Sequence, residues 1–125
     1  MKNFTNKREK GKHFEDKAAA YLRKKGYEVT AMNYETKFGE LDIVAEKKDK
    51  HLVVFVEVKA RDMFTGMHPF EAVDRGKQRT IIQCAKAYMM ENNVEDVFVR
   101  FDVAGVVTEG DEAVEIEYLE DAFQA

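Results

Sequence analysis

The feature that most constrains the fold of this 125-residue sequence is the run Leu52-Val53-Val54-Phe55-Val56, which is apolar at every position. A strand with water on one side alternates apolar and polar residues, whereas a strand covered on both faces is apolar throughout. The run therefore predicts a central strand in a sheet with helices on both faces. The chain is long enough to bury such a core, and we expect one domain over residues 1–125.

The segments around this run predict an α/β fold. Two segments have apolar residues at helical spacing, and the first has Asn6 as its N-cap and Gly26 as its stop. The charged residues 47–50 suit a hairpin, so the strands on either side are expected to be adjacent and antiparallel. The resulting order, α-β-β-β-α-β-β, predicts a mixed sheet flanked by helices. The predicted helices are 6–25 and 71–92, and the predicted strands are 27–32, 40–46, 52–56, 97–107 and 113–119, the last at a sheet edge.

The composition narrows the class of protein. The single cysteine, Cys84, excludes an internal disulfide framework and a Cys-rich zinc site, and it is expected to be a small buried apolar residue. No apolar run approaches the roughly 20 residues that a membrane helix needs, and no apolar segment of the secretory type follows the basic N-terminus. We therefore expect a cytoplasmic protein without a membrane partner.

Charge is unevenly distributed along the chain, whose net charge is −4. Residues 2–25 carry nine basic and three acidic side chains, whereas residues 103–125 carry seven acidic side chains and no lysine or arginine. The basic segment favours local contact with a polyanion such as DNA, while the acidic segment opposes it. The simpler interpretation of the basic segment is an ordinary solvated helix face. Its candidate contacts with nucleic acid are Lys10, Lys17, Lys24 and Lys25.

A carboxylate and an ammonium follow the apolar run, at Glu57 and Lys59. Residues two apart on a strand share a face, so both side chains are expected to project together from the end of the buried strand. Asp42, on the neighbouring predicted strand, supplies a second carboxylate. Two carboxylates with a backbone carbonyl and water suit Mg²⁺ or Mn²⁺, and a lysine beside the metal can position an attacking water. The alternative is an ordinary Glu–Lys pair on a strand face, which the E-x-K pattern alone favours.

The sequence Gly39-Glu40-Leu41-Asp42-Ile43, followed by Val54-Phe55-Val56-Glu57-Val58-Lys59, resembles the PD-(D/E)xK nuclease motif. The similarity is greatest to the YraN-like family of small bacterial proteins, which are predicted endonucleases related to archaeal Holliday-junction resolvases. It covers residues 11–103 and leaves the acidic segment 104–125 outside. The resemblance implies a restriction-endonuclease-like fold, Mg²⁺- or Mn²⁺-dependent hydrolysis of DNA, branched recombination or repair intermediates as substrates, and a homodimer. Other matching positions are Gly11, Glu15, Asn33, Pro69, Lys77 and the run 100–103.

The same resemblance implies roles for individual residues. Asp42 and Glu57 would hold the metal, and Lys59 would orient the nucleophile. Glu15 of the first helix would assist the metal directly or through water, and its helical stripe also predicts that it faces inward.

Lys77 and Arg61 are further candidates for contact with nucleic acid. Lys77 lies on the inner stripe of the second predicted helix. Reaching a phosphate and extending past the core to solvent are equally good interpretations of this position.

Other residues are expected to lie outside the metal site. Within strand 40–46, Leu41, Ile43 and Ala45 are expected on one side of the sheet. Glu40 is expected to point away from Asp42 and to have a loop or structural role, unless the strand begins with a bulge. Asp102, in an apolar strand, is expected to cap the structure rather than to bind metal.

Two further features bear on function. Glu35 stands where YraN-like proteins usually carry an arginine, so contacts with nucleic acid or local pairing are expected to differ. The apolar loop 60–70 is a candidate lid, dimer contact or wedge for stacking on bases, although packing over the core is the preferred interpretation.

An alternative function, which the acidity of the chain and Glu35 favour, is a non-catalytic nucleic-acid-binding or scaffold protein that retains the nuclease fold.

Overall fold

Helices and strands follow one another in the predicted order within residues 7–64 and 73–125, which the computed structural model describes. The α/β class and the order α-β-β-β-α-β-β are confirmed. A short 3₁₀ helix at Lys48–Lys50 forms the turn that was predicted as a hairpin. The elements are α1 (Lys7–Lys24), β1 (Glu28–Thr36), β2 (Gly39–Lys47), β3 (Leu52–Asp62), α2 (Arg75–Glu91), β4 (Phe98–Glu109) and β5 (Glu112–Phe123).

The strands form one sheet in the order β1-β2-β3-β4-β5. β3 and β4 are parallel, and the other neighbouring pairs are antiparallel. A parallel pair requires a crossover, and the segment that contains α2 provides it. The sheet is therefore mixed, with β5 at an edge, as the sequence predicts.

β3 is the central strand that the apolar run predicts. Val53 and Phe55 pack with α2 on one face of the sheet, while Val54 and Val56 pack with α1 on the other. Cys84 of α2 is fully buried, as expected. Neither α1 nor α2 is long and apolar enough to span a membrane.

Strands β1, β3 and β5 extend further than predicted, and β5 reaches Phe123, which pairs with Phe101 of β4. β3 continues to Asp62 because its parallel ladder with β4 extends to the pair Asp62–Thr108. The first residues of the predicted loop 60–70 are therefore strand, and residues 65–70 lie outside the described residues. β1 continues to Thr36 because its pairing with β2 reaches Gly39.

The N-terminus of α2 also differs from the prediction. The helix begins at Arg75 rather than at residue 71, and the Asp74 side chain caps it by accepting a hydrogen bond from the Lys77 N–H at 2.8 Å. The predicted N-cap of α1, Asn6, lies outside the described residues.

β2 changes the face to which its side chains point at Asp42. Leu41 packs on the face of the sheet that α2 covers, whereas Ile43 and Ala45 pack on the face that α1 covers. The prediction that all three share one side of the sheet is therefore wrong for Leu41. The ladder between β2 and β3 covers Ile43–Lys47 of β2, and residues 39–42 lie beyond it. The sheet is therefore open between β2 and β3 beside Asp42.

Asp102 has the structural role that the sequence favours. Its carboxylate is fully buried and accepts hydrogen bonds from the Arg100 guanidinium, the Tyr118 hydroxyl and the Asp121 N–H. Arg100 also donates to the Tyr27 hydroxyl at 2.6 Å. These hydrogen bonds join β4 to β5 and to Tyr27, which follows the turn at the end of α1.

Candidate functional site

Asp42 occupies the opening between β2 and β3. Its Oδ2 accepts a hydrogen bond from the Val58 N–H at 2.8 Å, in place of a ladder partner. Burial, followed by the charge of Glu57 and a hydrogen bond shared with it, raises the pKa of Asp42 to about 8, while the Val58 N–H acts in the opposite direction. In the metal-free protein this carboxyl is therefore mostly protonated at neutral pH.

Glu57 and Lys59 form the pair that the E-x-K pattern predicts. Glu57 is only 4% exposed, and its Oε2 lies 3.6 Å from Lys59 Nζ. Lys77 Nζ, from α2, lies 3.4 Å from the same oxygen. The structure thus brings Lys77 to the Glu57 side of the site, where its ammonium remains partly exposed. Two cations face this buried carboxylate, and Asp42 is its acidic neighbour.

The Asp42 carboxylate meets two others, those of Glu15 in α1 and Glu40 in β2. One carboxylate oxygen from each of Glu15, Glu40 and Asp42 lies within 4.8 Å of the other two. Burial, followed by the charges of Glu40, Asp16 and Glu57, raises the pKa of Glu15, while a hydrogen bond from Asn33 lowers it. Glu15 is thus half-buried and faces the other two carboxylates. Asp42 interacts electrostatically with both Glu15 and Glu57, and Glu15 in turn interacts with Glu57.

The position of Glu40 corrects the sequence prediction. Glu40 was expected to point away from Asp42, whereas it joins Asp42 and Glu15. The reason is the strand period: residues 40 and 42 are two apart and share a face when the strand between them is regular. The irregularity of β2 falls after Asp42 and does not separate the two carboxylates. Correct counting along the Gly39–Lys47 strand would have placed Glu40 in the site.

Glu15 and Glu40 of this group line an open cleft of about 670 Å³, and Asp42 lies next to both of them. One wall carries Lys7, Arg8 and Lys12 of α1, and the opposite side carries Glu35 and Glu40 of the β1–β2 hairpin. These three cations were missed by sequence reasoning. A signal was present, because Arg8 and Lys12 precede Glu15 by seven and three residues and so lie on the same helical stripe. Glu35 lies in the cleft itself, where its carboxylate adds to the acidic side of this surface.

The other predicted contacts with nucleic acid lie outside the cleft lining. Lys10 Nζ is 2.8 Å from Asp111, and Arg61 is 2.7 Å from Glu117, so both are paired with the acidic C-terminal segment. This pairing places acidic residues of the β4–β5 hairpin beside α1. The remaining three, which face other surfaces, are Lys17 beside residues 113–116, Lys24 in the last turn of α1, and Lys25 above the Tyr21 ring. Their contact with nucleic acid stays a prediction.

Comparison with known proteins identifies the family. The sequence matches the uncharacterised protein family UPF0102 over residues 14–106. A UPF0102 protein of Desulforapulum autotrophicum is 45% identical over 114 residues, which cover 91% of this chain and 92% of that protein. One from Syntrophotalea carbinolica is 43% identical over 113 residues, which cover 90% and 89%. The three carboxylates of Glu15, Glu40 and Asp42 lie within the matched range. The chain belongs to the UPF0102 family.

Proposed function

We propose that this protein is a divalent-metal-dependent endonuclease that hydrolyses phosphodiester bonds in DNA, with branched recombination or repair intermediates as its substrates. The observation that carries the proposal is the convergence of Glu15, Glu40 and Asp42 beside a cleft whose wall carries basic side chains. Carboxylates alone would repel a polyanion, whereas a divalent cation that they hold would bind a phosphate oxygen directly. The resemblance to the YraN-like PD-(D/E)xK nucleases supports the same chemistry.

The residues of the cleft fit Mg²⁺ or Mn²⁺. Their ligand atoms are carboxylate oxygens, which such hard cations prefer, and the group contains no thiolate or imidazole. Asp42 would hold the cation together with Glu15 and Glu40, and Glu57, which shares a hydrogen bond with Asp42, is a further candidate ligand. The raised pKa of Asp42 indicates that its ionised form lacks sufficient compensation in the metal-free protein, which a nearby cation would supply. When bound, the cation would make water a better nucleophile and offset charge on the phosphoryl oxygens.

The side chains around the carboxylates have complementary roles. Lys59 cannot ligate a cation, because an ammonium is only a donor. We assign it to holding the attacking water and to stabilising charge that develops on phosphorus. The wall formed by Lys7, Arg8 and Lys12 would bind the phosphates on either side of the reacting one. These are sequence-independent contacts, so selectivity would come from the shape of the DNA.

The setting of the reaction is also part of the proposal. A single reduced cysteine and a DNA substrate favour the cytoplasm. The homodimer follows only from the resemblance to resolvases.

The test is cleavage of labelled branched, single-stranded and duplex DNA by the parent, Lys59→Ala and Lys86→Ala in the presence of Mn²⁺. We expect the parent to cut the branched substrate and Lys59→Ala to be slower by on the order of 10²–10³, as for the loss of one preorganised donor. Lys86, on the far side of α2 beside Val99 and Phe101, is the matched lysine control and should have no effect.

Two outcomes would contradict this assignment. Equal cleavage by Lys59→Ala and the parent would place the activity at another site. Metal-independent DNA binding by a parent that cleaves no substrate would instead support the alternative, a non-catalytic nucleic-acid-binding protein that retains the fold.

A further inference from the structure

Asn33 has an unusual backbone conformation inside β1. Its φ is +50°, in the left-handed region. The neighbouring ladder pairs, Met32–Ile43 and Tyr34–Leu41, place it opposite Asp42. Among the amino acids, glycine, asparagine and aspartate adopt this conformation most readily. The backbone therefore limits which side chains can stand at this point of the cleft.

The Asn33 amide connects two carboxylates that come from different elements. Its Nδ2 donates to Glu15 Oε1 of α1 at 2.7 Å and to Glu40 Oε1 of β2 at 3.0 Å. The amide group has two hydrogens, one for each contact. Without it, two like charges would face each other across this part of the cleft, since Glu40 acts on Glu15 electrostatically.

The left-handed backbone and the need for two hydrogen-bond donors together select asparagine. Glycine would satisfy the backbone but leave the carboxylates unconnected. Aspartate would satisfy the backbone but would add a further negative charge and offer no donor in its ionised form. Of the three residue types that suit this backbone, only asparagine gives an uncharged side chain with two N–H donors.

We infer that Asn33 is a positioning residue, which holds Glu15 and Glu40 beside Asp42 before a divalent cation binds. The inference rests on the proposed function, because it concerns the same metal site. In the absence of the amide, repulsion separates the two glutamates, and the cation must gather its ligands itself. Removal of partners that orient metal ligands typically weakens metal binding 10- to 100-fold, which is the effect expected here.

The experiment compares Asn33→Gly with Asn93→Gly. Asn93 is also exposed and also left-handed, with φ +53°, and it lies in the turn after α2, outside the cleft. Glycine accepts this conformation without strain, so each variant removes a side chain while retaining the backbone. Mn²⁺ affinity is measured by electron paramagnetic resonance of the free ion. The ¹³C carboxyl resonances of the glutamates are recorded without metal.

We expect Asn33→Gly to bind Mn²⁺ 10- to 100-fold more weakly and to shift the Glu15 and Glu40 carboxyl resonances. Asn93→Gly should change neither. Unchanged Mn²⁺ affinity in Asn33→Gly would overturn the positioning role and leave the metal site intact. A parent protein that binds no Mn²⁺ would overturn both this inference and the proposed function.

Discussion

Replacing Asp42 with asparagine is predicted to alter how stability depends on pH in the metal-free protein. Burial, followed by the charge of Glu57, raises the pKa of this carboxyl from 3.8 in an unfolded chain to about 8 in the folded protein. Between these values the folded protein holds one proton more than the unfolded chain. The free energy of unfolding therefore falls by about 1.4 kcal/mol for each pH unit across this range. The stabilisation is complete below pH 3.8 and is lost as the pH rises through about 8.

Asparagine resembles the protonated carboxyl, because its oxygen can accept from the Val58 N–H and its nitrogen can donate to Glu57. The variant should lack this pH dependence, so its stability relative to the parent should increase by about 3.5 kcal/mol between pH 5 and pH 8. Urea unfolding at pH 5, 6, 7 and 8 measures the difference, with Asp49→Asn as an exposed control that should track the parent. A constant difference at every pH, or a variant that is destabilised throughout, would show that Asp42 is a structural residue.

Three further predictions concern the cation, the DNA and the core. Mn²⁺ binding at pH 7 should release close to one proton, because the cation displaces the proton from Asp42. Calorimetry in buffers of different ionisation enthalpy measures the number of protons released, and a value of zero would refute the prediction. The double variant Arg8→Glu, Lys12→Glu should bind DNA more weakly whatever the DNA sequence, and its binding should depend less on salt, whereas Lys86→Glu should behave like the parent. A salt titration in which the parent, the double variant and Lys86→Glu bind equally would place the DNA on another surface. Asp102→Ala should lower the free energy of unfolding by about 3 kcal/mol, since it leaves the donors around a buried carboxylate without their acceptor; a loss below about 1 kcal/mol in urea would contradict this.

Local patterns were sufficient to predict the main elements of the fold. The run from Leu52 to Val56 has no polar face, and the structure covers both of its faces. The end of β3 was not predictable in this way, because residues 60–62 include two charged side chains and belong to the strand through pairing with β4. Pairing between distant strands leaves no periodic signal in a short segment.

The candidate site was predicted in part. The spacing of Glu57 and Lys59 was informative because residues two apart on a strand share a face, and the two side chains do form a pair. Glu40 was assigned wrongly although the same rule would have placed it correctly. Asn33 could not be assigned from the pattern, since its role depends on a left-handed backbone and on two carboxylates from other elements.

The charge pattern was the least informative signal. The sequence separates a basic N-terminal segment from an acidic C-terminal one, but the fold brings them together through pairs such as Lys10–Asp111. Which cations remain available to DNA is therefore decided by packing of the β4–β5 hairpin against α1. Net charge along the chain does not contain that information.

The central claim, that the cleft holds a divalent cation, is tested most directly by anomalous diffraction from crystals soaked with Mn²⁺ at pH 8, where Asp42 is more readily ionised. We predict an anomalous peak within bonding distance of an Asp42 carboxylate oxygen, with Glu15, Glu40 or Glu57 as the neighbouring protein ligands. The peak should be absent from crystals of Asp42→Asn. A parent crystal without a peak in the cleft, or with Mn²⁺ bound only at other surface carboxylates, would contradict the account.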